Sequence, residues 1–261
     1  MDWDLVVDVV SVGGGAGTLA GAIAAHDADA ELFVAVAGDG PDPVRAADPA
    51  PPWYGAGLDD PRTVEYLAAL VGDLEPVTEV PDTGVPVRAV AEPHAERGRT
   101  VEPFFGARLR DWAARCVSSP YGVLHTRVAG RGGVPARTAE GEAIEVLTLG
   151  RVRPPGDLWQ LDLADWLARE VRERDIEVHP SARLNRLVFE ADEVVGAVID
   201  TPGRSWAVGA RHGVTIAPPW APARPLTRRD VPGGTDTVRI ALVGQAASRF
   251  GRVEVLVPAD R

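Results

Sequence analysis

The order of apolar and polar positions divides the chain into strands and helices. Residues 5–12, LVVDVVSV, are an almost continuous β-branched run, the pattern of a strand buried on both faces. Glycines follow at once, and residues 16–27 then read as a helix of Ala, Gly, Leu and Ile, small enough to lie close against a sheet. Residues 31–37, ELFVAVA, form a second short apolar strand. Strand, helix and strand with tight connections make a βαβ unit, which implies a parallel pair with a right-handed crossover.

Downstream the period changes several times. Residues 38–52 are polar and proline-rich, without periodicity, and read as a loop. Residues 59–74 form an amphipathic helix: Asp60 is placed to cap it, Pro61 suits its first position, and Val64, Leu67, Leu70 and Val71 share a face. A further helix is predicted over 105–116, with Leu109, Trp112 and Ala113 inward. The glycine-rich stretch within 119–150 reads as hairpin material of a smaller subdomain. After Leu161 an amphipathic helix buries Leu163, Trp166, Leu167 and Val171, and the strand 176–178 follows it. An antiparallel meander over 183–210 and an apolar strand ending near Ala217 complete this block. Residues 218–234 are rich in proline and arginine; 238–244 predicts a late strand, followed by a helical turn at 245–250 and a strand-like VEVLV.

Composition narrows the class. A chain of 261 residues, 45% hydrophobic and 25% charged, can bury a sizeable core as one large domain or two modest ones. The net charge of −11 argues against a nucleic-acid surface, which needs clustered positive charge. All 27 basic side chains are arginine, a compositional bias without a functional reading. The single cysteine, Cys116, excludes an internal disulfide and a cysteine-based metal cluster, and no metal site is expected. No run approaches the length of a membrane span and no targeting segment is visible, so a cytoplasmic location is expected.

The chemistry centres on the glycines. In a dinucleotide-binding turn, glycines permit the tight strand-to-helix bend, the approach of a pyrophosphate, and close helix–strand packing. The helix start supplies free N–H groups and a partial positive charge for the phosphates. Gly13, Gly14, Gly15, Ala16 and Gly17 supply such a turn here, but Thr18 stands at the third fingerprint position, where a β-branched side chain is expected to loosen the packing. The acidic residue that grips a ribose belongs about 20 residues on. That position is Val36, and the nearest acid is Asp39.

With these residues in view, the chain resembles the FAD-dependent fumarate reductase, succinate dehydrogenase and 3-ketosteroid dehydrogenase family. DVVSVGGGAGTLAGA from Asp8 is similar to the family's N-terminal pattern, and REVRERDIEV and ARHGVTIA follow in the family's order. The resemblance implies a Rossmann-like FAD-binding fold, a parallel sheet plus an antiparallel meander, built from 1–45 and 155–261. It implies an inserted α+β cap over 46–154, and FAD held by Gly13, Gly14, Gly15, Ala16, Gly17, Thr18 and Asp39. The chain departs from the family at Thr18, at Val36, at APPW (217–220) and in its C-terminal block, as a shortened and degenerate member would. Tyr121, His125 and Arg127, grouped in SSPYGVLHTR, are candidate proton-transfer groups, with an ordinary hydrogen-bonded turn and strand as the alternative. Trp53 and Tyr54 in PPWYGAG are a candidate contact for an apolar ligand or a protein partner. Three readings follow: a flavin-dependent oxidoreductase, a flavin-binding protein without turnover, and a cofactor-free relative serving as a partner or scaffold subunit.

Overall fold

The computed structural model describes residues 2–38, 57–74, 84–91, 106–128, 132–154, 156, 158–218 and 224–259. The run at 5–12, which its pattern predicts as one strand, is split by its polar residue. β1 (Leu5–Val7) and β2 (Val9–Gly13) belong to different sheets, and Asp8 sits at the step between them. The Asp8 carboxylate accepts the Glu31 N–H at 3.0 Å and an Arg211 N–H at 3.1 Å. A carboxylate fixed by an amide and a guanidinium cannot also lie inside an apolar layer, so the strand changes sheet there.

β2 leads through α1 (Gly15–His26) to β3 (Leu32–Val36), and the two strands pair in parallel from Val9↔Leu32 to Gly13↔Val36. Two more parallel strands flank them: β9 (Val178–His179) beside β3, and β13 (Val214–Ile216) beside β2. The sheet then continues antiparallel. β5 (Gly122–His125) joins β13, β16 (Phe250–Pro258) joins β5, and β15 (Val238–Gly244) joins β16. β7 (Ala143–Val152) and β6 (Val134–Arg137) finish that side, and β4 (Val87–Val90) runs parallel to the end of β16. Strands drawn from 87–152 therefore pair within the same sheet as strands from either side of them in sequence.

A second sheet holds the meander β10 (Arg183–Glu190), β11 (Glu193–Thr201) and β12 (Arg204–Ala210), with β1 parallel to β12. A two-stranded pair, β8 (Gln160–Leu161) with β14 (Leu226–Thr227), stands apart. The fold is α/β, with mixed parallel and antiparallel sheets and four helices among the described residues.

The large sheet is apolar on both faces, and each face has its own core. α1 and α4 (Leu163–Glu173) cover one face, where Ile23, Leu167, Ile240 and Val253 are buried. The meander, α2 (Pro61–Val71) and α3 (Gly106–Val117) cover the other, over Val10, Val12, Phe33 and Trp112. Asp60 caps α2 as its position predicts, accepting the Thr63 N–H at 2.9 Å. Hydrogen bonds from the Thr63 hydroxyl and N–H hold the Asp60 carboxyl below the usual range. The Thr63 hydroxyl also accepts the Leu187 N–H at 2.9 Å, tying α2 to β10. Val64, placed inward from its period, is instead exposed. The helical turn expected at 245–250 is a tight reversal closed by Ser248 N–H donating to Gln245 O.

The α3 side of the sheet holds charges inside the core. Glu254, with no exposed surface, accepts from Arg88 at 2.9 Å and from Arg252 at 2.7 Å. Arg88 also donates to Glu142 at 2.7 Å, and Arg115 and Gln245 donate to the same carboxylate at 2.5 and 2.7 Å. Burial pushes the Glu142 carboxyl upward, but the Arg115 bond and the surrounding guanidiniums outweigh it and hold the group below the usual range. The three guanidiniums lie 5.2–5.5 Å from the Trp112 ring centre. This network joins β4, α3, the turn before β7, and β16. Removing one partner of a buried ion pair leaves the others desolvated and unpaired, at a cost of about 3–5 kcal/mol. Glu254→Ala is therefore expected to lower unfolding free energy by about that amount in urea denaturation; a loss under about 1 kcal/mol would show that the network contributes little.

Candidate functional site

The glycine turn lies where β2 meets α1, at the carboxyl end of the parallel strands. Its first glycine is fixed by the neighbouring strand. Gly13 has φ +133°, and a methyl group there would lie 2.2 Å from the Ala217 carbonyl oxygen. The chain beyond β13 runs along this turn: Ala217 N–H donates to Val12 O and Gly14 N–H donates to Pro218 O, both at 2.9 Å. Gly13 O accepts the Ala37 N–H at 2.8 Å from the end of β3. Gly15 is different in kind. Its φ of +57° calls for glycine, but nothing lies within 4 Å of where a Cβ would stand.

Thr18 does not loosen the packing as its place in the motif predicts. It is fully buried, its hydroxyl lies 3.5 Å from Gly14 O, and its carbonyl accepts from the Ser11 hydroxyl at 2.9 Å. The close approach of helix to sheet falls to Gly17 and Gly21 instead. A Cβ on Gly17 would stand 2.8 Å from both Ala217 Cβ and Gly122 O, and one on Gly21 would stand 3.0 Å from Thr215 Cγ2. Glycine at Gly17 and Gly21 thus performs the task that the fingerprint assigns to position 18.

The N-terminus of α1 carries no side-chain cap, and its first turn holds no acidic residue. An unmodified helix start of this sort presents backbone N–H groups and partial positive charge to whatever lies beyond it. Gly15 leaves open space beside that end. The turn has the shape and the sign for a phosphate group.

At the end of β3 the chemistry is less complete. The carbonyl of the half-buried Val36 accepts the Ala182 N–H at 3.0 Å, and Gly38 lies against Ser181. Asp39 falls outside the described residues, as do Trp53, Tyr54 and the Pro219–Trp220 half of APPW.

Tyr121, His125 and Arg127 have separate surroundings. Tyr121 is buried in the core beneath α1. His125 Nδ1 lies 3.1 Å from Thr215 Oγ1, and His125 borders a small niche with Gly133, Glu145 and Gly251. Arg127 reaches toward the meander, donating to Arg211 O at 3.1 Å and Val194 O at 3.3 Å. No group of three or more potential metal ligands occurs among the described residues, and no described helix is long and apolar enough to cross a membrane.

Two polar groups escape sequence reasoning. The Glu254 network has a visible signal, a lone acid between valines in the apolar run VEVLV. The polar cluster of Asp200 with Ser205, Asn185 and Arg183 has no local signal, because its residues come from three separate strands.

No family model and no curated protein matches the chain. Weak structural neighbours are found among flavin-dependent oxidoreductases. The 3-ketosteroid-Δ4-(5α)-dehydrogenase of Rhodococcus jostii RHA1, solved with 4-androstene-3,17-dione, is 20% identical with a TM-score of 0.33, over 82% of this chain and 46% of that one. A flavocytochrome c3 fumarate reductase is 16% identical (TM-score 0.32), over 79% and 32%. A myxobacterial chondrochloren halogenase, a variant of FAD-dependent halogenases, is 17% identical (TM-score 0.31), over 79% and 36%. The chain spans less than half the length of each.

Gly13 and Gly15, the two turn glycines with positive φ, should respond differently to the same change. Gly13→Ala meets a backbone oxygen and is expected to cost about 3 kcal/mol of stability. Gly15→Ala meets only the backbone penalty of a left-handed conformation, about 1–2 kcal/mol. Denaturant titration of both variants checks the order, and equal losses would contradict the packing described.

Proposed function

We propose that the chain is a flavoprotein-like nucleotide-binding protein with a Rossmann-like FAD-binding fold, related to the steroid- and fumarate-type oxidoreductases. In this reading the start of α1 receives the FAD pyrophosphate. The observation that carries it is the turn itself: an uncapped helix start with no acid in its first turn, entered through glycines at φ +133° and +57°, between two parallel strands. Nothing within 4 Å crowds the place where a Gly15 Cβ would stand, so the helix start is open on that side.

The residues fit the phosphate half of the group. Gly15, Ala16 and Gly17 would present backbone N–H groups to it, while Gly14 N–H is committed to Pro218 O. Gly13 and Gly17 keep the helix seated so that this end stays fixed relative to the strands. Val36 supplies no ribose contact from its side chain, which makes the site asymmetric and its affinity for the whole dinucleotide modest. FAD, when bound, supplies the hydride and electron transfer of such proteins. Within this chain, the part of the work derived from the described residues is binding: holding the phosphates and orienting what is attached to them.

FAD titration followed by flavin fluorescence and visible absorbance tests the reading. The wild-type protein is expected to bind FAD. Gly15→Asp is expected to weaken binding at least about tenfold, since it sets a carboxylate where the helix start favours an anion. Circular dichroism of the variant checks that the fold is kept. Absence of FAD binding by the wild type, or equal binding by a folded Gly15→Asp, would overturn the proposal. The first of these results would favour a cofactor-free partner subunit.

A further inference from the structure

The charges around Trp112 do not balance. Three guanidiniums, Arg88, Arg115 and Arg252, share two carboxylates, Glu142 and Glu254. Glu254 has no exposed surface, whereas the Glu142 side chain is 24% exposed and that of Arg115 is 42% exposed. A proton from solvent therefore reaches Glu142 first. The layer also carries polar atoms that are buried without a hydrogen-bond partner among the described residues, Arg115 Nε and Glu254 Oε2. A buried network with such atoms stores strain that a small change in charge can release.

Several elements converge on the Glu142 carboxylate. Arg88 of β4 donates to its Oε2 at 2.7 Å, Arg115 of α3 to its Oε1 at 2.5 Å, and Gln245, just past β15, to the same Oε1 at 2.7 Å. Arg252 of β16 adds its charge, Glu254 of β16 shares Arg88, and the exposed Glu140 faces Glu142 from the same turn. With Glu142 ionised, three guanidiniums share two carboxylates. With it protonated they share one: Arg88 and Arg252 keep Glu254, and Arg115 keeps no charged partner among the described residues. Like charges in a partly desolvated layer then repel one another. The face of α3 that lies on this layer carries Trp112, Ala113 and Cys116, all buried, with Trp112 Nε1 donating to Phe250 O at 2.9 Å.

We propose that Glu142 is the trigger of an acid-sensitive latch: its protonation releases Arg88 and Arg115 together and lets α3 part locally from β16, exposing Trp112 and Cys116 while the rest of the sheet stays folded. The latch is independent of the nucleotide reading. The direction of the titration agrees with it. Burial pushes the Glu142 carboxyl upward, but Arg115 and the other guanidiniums outweigh burial and hold it below the usual range. The latch is thus fully closed above the ordinary glutamate value of 4.5 and opens as pH falls through the lowered one.

Cys116, the one cysteine of the chain and fully buried, reports the opening. Its labelling by 4,4′-dithiodipyridine in the full chain, near pH 7 and near pH 3.5, tests the latch, each rate being divided by that of free cysteine at the same pH. The wild type is expected to label at least about tenfold faster in acid. Its far-ultraviolet circular dichroism should be unchanged, and the urea dependence of labelling much shallower than that of global unfolding. Glu142→Gln, which fixes the neutral form, is expected to label at least about tenfold faster than the wild type near pH 7 and to lose most of the pH dependence. A wild-type rate that does not rise in acid overturns the proposal. So does a rise that comes only with loss of the dichroism signal or with the full urea dependence of unfolding. A folded Glu142→Gln that labels at the wild-type rate near pH 7 overturns it as well. Should that variant not fold, the wild-type pH and urea series decides alone.

Discussion

The close packing of β2 and the start of α1 against Ala217, just past β13, and Gly122 of β5 is the contact on which the rest depends. Backbone meets backbone here at distances that exclude even a methyl group: at Gly13 against Ala217 O, and at Gly17 against Gly122 O. That approach brings β13, β2, β3 and β9 into one parallel set and places the helix start at their carboxyl ends. It also fixes where Ala217 and Pro218 run, so the chain leaving β13, the neighbour of β2, becomes a wall of the turn. A single steric fact thus links sheet order to site geometry.

The two faces of the sheet are stabilised by different means. Beneath α1 and α4 the layer is apolar, aliphatic side chains with Tyr121 and Trp166 among them, and close packing specifies it. Beneath α3 an ion network with no aliphatic equivalent spans Arg88, Arg115, Glu142, Arg252 and Glu254 around Trp112. Its partners lie far apart in sequence, so it acts as a fastener between the edge strand β4 and the long strand β16.

Elements with a strong local period are legible in the order of residues alone. The cap of α2, the buried face of α4, the meander, and the parallel β2–α1–β3 unit follow from apolar spacing and from Asp60, Pro61 and the glycines. Asp8 is the exception inside a legible run. Its β-branched neighbours hide a change of sheet that only the long-range bonds to Glu31 and Arg211 reveal. Thr18 departs from its motif for a related reason. The fingerprint assigns close packing to one position, but the helix rotation here brings Gly17 and Gly21 onto the strands. The candidate phosphate site at the glycine turn is local in sequence and can be read from residues 13–18. The polar cluster around Asp200 assembles through the meander register, which no local pattern encodes.

Amide chemical shifts of the glycine turn during a pyrophosphate titration test the central claim most directly, because they report the proposed donors one by one. The account predicts saturable shifts concentrated at Gly15, Ala16 and Gly17, with Gly14 moving less because its N–H is already bonded to Pro218 O. Shifts that are absent from these three amides, or that spread evenly over the surface arginines, would contradict it.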